Sequence, residues 1–161
     1  MNKNIIYISV VLVVAAILSA SSCNKGNDNP NMPIVRIDIS IDPNSTIFYE
    51  LNTVGGGMYL DGKPGVYIPP ESRGIIVYRM DMNTFKAYER TPPNNPDECC
   101  NTHTKQCTAL IFDVNTYPFV VDTCTSTKYS ILDGVIVNGT GTYPLIEYRC
   151  DYNGAILHIY N

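Results

Sequence analysis

The sequence predicts an all-β fold: an antiparallel β-sandwich or small barrel with two loops projecting from one end. Three observations carry this expectation. Apolar and polar residues alternate with period two along much of the chain, while the 3.6-residue period of an amphipathic helix is nearly absent. Turn signals separate the alternating runs at Gly55–Gly57, Asp61–Gly62, Pro69–Pro70, Asp133–Gly134 and Asn153–Gly154. The composition, with Tyr 12, Gly 11, Pro 11 and no Trp, is that of strands joined by many turns.

Length and charge narrow the classes. The chain has 161 residues, enough for one ordinary domain with a tail. Its formal net charge is −4, with a pI near 5.0. A surface of that sign does not meet phosphates, so nucleic acid is excluded as a partner. Hydrophobic residues make up 45% and charged residues only 16%, a balance that buries a core rather than leaving a disordered chain.

In chain order, residues 1–22 read as a signal peptide. Lys3 is the only charge before Cys23, and the apolar run Ile5–Leu18 is 14 residues long. A spanning helix needs about 20 residues, so a short run behind a positive end reads as a secretory address. The run closes in Ser19-Ala20-Ser21-Ser22 ahead of Cys23, which resembles a bacterial lipoprotein signal and implies lipidation of Cys23. Asn24 carries no acid after that cysteine, which favours the outer membrane of a gram-negative envelope. Residues 23–33 are then the lipidated cysteine and a polar, Asn- and Pro-rich stretch that reads as a flexible tether. Loss of Lys3 leaves 10 basic against 15 acidic residues, a net charge of −5 for the mature chain.

Residues 34–161 form the folded domain. Ile34–Ile39 alternates, with Ile37 and Ile39 on one face. Gly74–Arg79 (GIIVYR) is continuously apolar at its centre, fitting a strand covered on both sides. Phe85–Arg90 and Leu145–Tyr152 alternate, and Ala155–Tyr160 closes the chain. Asn153–Gly154 between two such runs predicts a tight hairpin. Two stretches break the rhythm and are expected as long loops: Thr91–Gln106, with Cys99, Cys100 and His103, and Asp122–Ser130, with Cys124.

With Cys23 lipidated, five cysteines remain: Cys99, Cys100, Cys107, Cys124 and Cys150. Disulfides persist outside the cytoplasm, and an odd number leaves at least one thiol. Cys150 is in phase with Tyr148 and Tyr152 and is expected as a small buried apolar thiol. A bridge from Cys99 or Cys100 to Cys124 ties the two loops and contributes roughly 3 kcal/mol. Cys107 pairs with the other adjacent cysteine or stays free. The alternative use of these residues is a metal site from Cys99, Cys100, His103 and Cys107. Zinc ligands usually come as two spaced pairs, whereas adjacent cysteines point in different directions, so no metal is expected.

Several of these segments resemble a Rieske domain. Gly74–Arg79, Phe85–Thr91 and the cysteine-bearing loop are similar to its first half. Cys124–Gly134 (CTSTKYSILDG), Val137–Gly139 and Pro144–Tyr148 are similar to its second, which reads C-P-C-H-G-S-x-F, then a strand, a D-G turn, a G-P turn, P-L and Tyr. Ala87–Asn161 carries most of the likeness, with a weaker extension back to Gly57. Asp151–Gly154 (DYNG) and Leu157–Asn161 (LHIYN) resemble more narrowly the Rieske-like lipoproteins of gram-negative gut bacteria. The resemblance implies an iron–sulfur cluster held by two Cys and two His. The positions it assigns to those ligands are Pro92 and Asn94 in the first loop and Asp122 and Thr125 in the second. All four ligands are absent, so no cofactor is expected. The resemblance also implies a disulfide between the loops, with Cys124 at the middle position of C-P-C and Cys100, or else Cys99, as its partner.

No catalytic constellation accompanies this. There is neither G-x-S-x-G nor a phosphate loop. Asp97 and Glu98 read as solvated charge, His158 as a strand residue, and the tyrosines as half-buried strand positions. The expectation is a non-enzymatic, membrane-anchored binding or accessory module with a periplasmic or surface protein or glycan as partner. The alternative is a redox or electron-transfer protein that uses the Cys-rich loops as a metal site or dithiol switch.

Overall fold

The structure, a computed structural model, describes residues 29–104 and 106–161. The leader and Cys23 lie outside the described residues. Among those described, the only helical element is a short 3-10 segment, Thr46–Leu51. The rest is strand and turn. A six-stranded antiparallel sheet runs in the order β1 (Asp38–Ile41), β10 (Leu157–Tyr160), β9 (Glu147–Tyr152), β4 (Phe85–Glu89), β3 (Ile75–Arg79) and β2 (Gly57–Tyr59). It curls into a half-barrel. A second sheet holds β5 (Ile111–Phe112), β6 (Phe119–Asp122), β7 (Thr127–Ser130) and β8 (Ile136–Asn138). The expected all-β architecture of two antiparallel sheets is therefore present.

Strand β3 shows why the large sheet is built this way. All five of its residues are buried. Ile75 and Val77 enter one apolar cluster with Val35, Ile37, Ile39, Leu60, Ala87 and Ile159. Ile76 and Tyr78 enter a second, with Tyr88, Leu110, Val120, Tyr129 and Leu145. Side chains alternate across a strand, so a strand between two cores is apolar on both faces, as Ile75–Tyr78 are. Aromatic rings join the two sheets: Tyr59 and Phe112 lie 5.1 Å apart, and Tyr78 and Tyr117 5.9 Å. Gly57 permits that approach, because a Cβ there would sit 2.7 Å from the Phe112 ring.

Three boundaries differ from the sequence expectation. The stretch Asp122–Ser130 is not a long loop. It is the end of β6, the four-residue turn 123–126 and strand β7, with Ser126 at φ 59° and Asp122 paired to Thr127. The β9–β10 connection is not a two-residue turn. Tyr152 pairs with Leu157, so four residues loop out, and the Asn153 side-chain oxygen accepts from the amides of Ala155 and Ile156. Only Gly154 of that Asn–Gly pair has positive φ. Finally, the expected tether does not run free to Pro33. Asn29 and Met32 are buried, and the Asn29 amide donates to the Pro93 carbonyl at 2.8 Å.

Candidate functional site

Both cysteine-bearing connections leave the same end of the fold. The first begins where β4 stops at Glu89, and its root is a buried carboxylate. Glu89 is 2% exposed and accepts five hydrogen bonds: from Ser72 Oγ, the Arg73 amide, the Thr91 amide and hydroxyl, and Tyr148 Oη. A buried charge is tolerated when its lone pairs are used in this way. Burial, and then the adjacent Glu89 charge, push the Tyr148 phenol well above its ordinary value. Tyr148 is therefore a neutral donor.

Arg73 holds the two limbs of the first loop together. Its Nη1 donates to the carbonyls of Pro96 (2.6 Å) and Thr108 (2.9 Å). Its Nη2 donates to Asp97 (3.0 Å) and lies 3.7 Å from Cys100 Sγ. Beyond this clamp the chain is closed by Cys100–Cys107, with Asn101 N donating to Gln106 O at 2.7 Å. Cys99 turns the opposite way and bonds Cys124 in the β6–β7 turn, 25 residues on. The loops are thus stapled to one another. The staple uses Cys99, where the family resemblance favoured Cys100. Neighbouring side chains diverge, and here it is Cys99 that faces the second loop.

The four positions that the resemblance assigns to cluster ligands lie at the inner surface of these loops. Pro92 and Asn94 are buried, Asp122 is buried and Thr125 half-buried. Their polar atoms are occupied. Asn94 Oδ1 accepts from the amides of Thr142 and Tyr143, and its Nδ2 donates to Tyr129 Oη and the Tyr143 carbonyl. Asp122 accepts from the Cys124 amide and the Thr125 hydroxyl. Thr125 continues to Thr127, which donates to the Thr140 carbonyl. Iron–sulfur clusters are held by thiolate and imidazole. Pro92 offers no side-chain donor atom, and the other three close turns. This set does not fit a cluster.

The alternative metal set is not assembled either. Cys99, Cys100 and Cys107 are all in disulfides, and His103 sits on an exposed turn beside Thr102. A metal takes thiolates, which a disulfide does not offer. The ligand atoms that do converge, within 4.8 Å, belong to Asp97, Cys100 and Cys107, and two of these are the bonded sulfurs. Cys150 stands apart in β9, half-buried against the first core cluster, its thiol pushed up to about 12 by burial first and Glu147 second. Its expected inward orientation is what the structure has. His158 meets Asp38 at 2.9 Å and stacks on Tyr160, a strand-surface contact.

The concavity at this end is a shallow, open hollow of about 450 Å³ lined by Asn31, Asn95, Pro96, Asp97 and Glu98. Sequence reasoning located the loops and their cysteines. It missed Arg73, Glu89 and Asn29, which position them. Arg73 and Glu89 are 16 residues apart, and no local pattern announces a contact of that kind. No family model matches this chain, and no curated protein matches it either.

Proposed function

We propose that this chain is a lipid-anchored, extracytoplasmic binding or accessory module with a Rieske-like scaffold, non-enzymatic and without a cluster. The stapled loop end is its contact surface. One observation carries the reading: the side chains at three of the four ligand positions, Asn94, Asp122 and Thr125, are used to close the loops (Asn94 alone takes four hydrogen bonds) and Pro92 has none to offer, while a disulfide still joins loop to loop. A partner then meets a surface of fixed shape, which lowers the ordering entropy lost on binding. The membrane enters through lipid on Cys23, and the outer leaflet-forming envelope of a gram-negative bacterium is the compartment that the leader and Asn24 favour.

A second reading is a dithiol switch. It is favoured by the Arg73 guanidinium beside Cys100 Sγ, since a neighbouring cation stabilises thiolate. One experiment separates the two. The protein is purified anaerobically, assayed for iron and labile sulfide, and its thiols are counted against a graded series of dithiol reductant. The first reading expects neither iron nor sulfide, and one thiol until strongly reducing conditions. Iron with a visible chromophore sinks it. Opening of Cys100–Cys107 at a mildly reducing poise transfers the lead to the switch.

A further inference from the structure

The end of the fold that faces the membrane follows from the reading of Cys23 as the lipid anchor, on which this inference rests. Five residues, 24–28, separate Cys23 from Asn29. An extended chain covers at most about 3.6 Å per residue, so Asn29 lies no further than about 22 Å from the anchored cysteine. Asn29 is not at an arbitrary place. Its side chain donates to Pro93 O, at the root of the first stapled loop, and its own Oδ1 accepts from Asn31 N. Asn31 in turn lines the hollow with Asn95–Glu98.

The strand register places everything else relative to that point. Ile75 pairs with Glu89, Tyr88 with Glu147, Arg149 with Tyr160, and Tyr160 with Asp38. The first two pairs mark the row at the loop end, while Arg149, one step past the Ala87–Tyr148 pair, sets the ends of β10 and β1 back along the sheet. Arg79–Phe85, Tyr152–Leu157 and Leu157–Ile41 form the opposite row, closed by the turns at 81–84 and 153–156. At about 3.4 Å per residue the six residues of β9 separate the rows by about 17 Å. The chain therefore enters the domain at the loop end, on a leash little longer than one strand. Ile34, five residues after Asn29, is 99% exposed and offers an apolar side chain to whatever covers it.

We propose that the stapled loop end, comprising Asn31, Ile34, Asn94–Cys100 and the 123–126 turn, rests on the headgroup surface of the bilayer that holds Cys23, with the 81–84 and 153–156 turns pointing away. The exposed carboxylates of Asp97 and Glu98 make an anionic surface a poor neighbour and a zwitterionic, ammonium-bearing headgroup a better one. Such a geometry makes the headgroup surface the partner that the stapled contact surface meets.

The test uses the mature, lipidated protein, isotope-labelled, in phosphatidylethanolamine-rich nanodiscs doped with a gadolinium-chelating lipid. Paramagnetic loss of amide signal falls steeply with distance. Asn94–Cys100 and Thr123–Ser126 are expected to lose several-fold more intensity than Asp81–Thr84 and Asn153–Ala155. A long Gly/Ser insertion between Lys25 and Gly26 is expected to level that contrast while the protein stays in the disc. Equal loss at both ends, or greater loss at the far turns, in protein whose N-terminal lipopeptide mass is confirmed, overturns the orientation and leaves the anchor standing. An unmodified Cys23 overturns the anchor, and the orientation with it.

Discussion

Cys150 shows how a single side chain states its surroundings. It lies on the inward phase of β9, next to Tyr148 and Tyr152, and it is the one thiol among the described residues outside a disulfide. Alternation along the strand predicts the inward phase, and the odd cysteine count predicts a leftover thiol without deciding between Cys150 and Cys107. Burial disfavours the thiolate, and the Glu147 charge adds to the effect, so the folded value rises from 9.0 to about 12. A raised folded value contributes stability below the unfolded one and loses it as pH climbs from about 9 toward 12. Two outcomes follow. Iodoacetamide at pH 8 should label the native protein slowly and the denatured protein at once, with the label on Cys150. Cys150→Ser should also remove part of the alkaline fall in thermal stability between pH 9 and 11. Fast native labelling at pH 8 would show that the thiol is neither buried nor raised.

At the scale of elements, two connections of unequal length are closed by two bridges of unequal reach. Cys99–Cys124 spans 25 residues and Cys100–Cys107 spans 7. Loop-closure entropy makes the first worth about 3.5 kcal/mol and the second about 2.5 kcal/mol. On that argument the first bridge is worth about 1 kcal/mol more than the second. Denaturant titration of the Cys99→Ser/Cys124→Ser and Cys100→Ser/Cys107→Ser pairs checks this, and a larger loss for the second pair would contradict it. The same elements show what the sequence could reveal. Gly74–Arg79 declared itself because both of its faces are buried. Thr127–Ser130 did not, because a TKYS segment looks polar although Thr127 and Tyr129 are fully buried. Their hydroxyls are satisfied by the Thr140 carbonyl and the Asn94 amide, partners that lie far along the chain. The choice of Cys99 over Cys100 was illegible for a related reason. Which of two adjacent side chains faces a neighbouring loop depends on the backbone turn between them.

For the molecule as a whole, the decisive fact is that two cores share the strands between them. Ile75 belongs to the cluster inside the half-barrel and Ile76 to the cluster under the four-stranded sheet, and both are fully buried. Adjacent residues of one strand thus report on opposite sides of the molecule. The two halves are further linked where Leu110 N donates to the Arg90 carbonyl, and where Arg90 stacks over Tyr59 at 3.9 Å while reaching the Leu110 carbonyl and Asp61. Neither core can be lost without exposing one face of β3 and β4. Ile75→Ala and Ile76→Ala should therefore each cost about 2–5 kcal/mol, and each should lower one common transition. Far-ultraviolet dichroism, dominated by both sheets, and tyrosine fluorescence, weighted toward Tyr78, Tyr88 and Tyr129 of the second core, should shift together in both variants. If Ile76→Ala instead detached a fluorescence transition at lower denaturant while the dichroism midpoint stayed in place, the four-stranded sheet would be an independent unit. The stapled loops would then be mounted on a platform that opens by itself, and the fixed contact surface argued above would lose its physical basis.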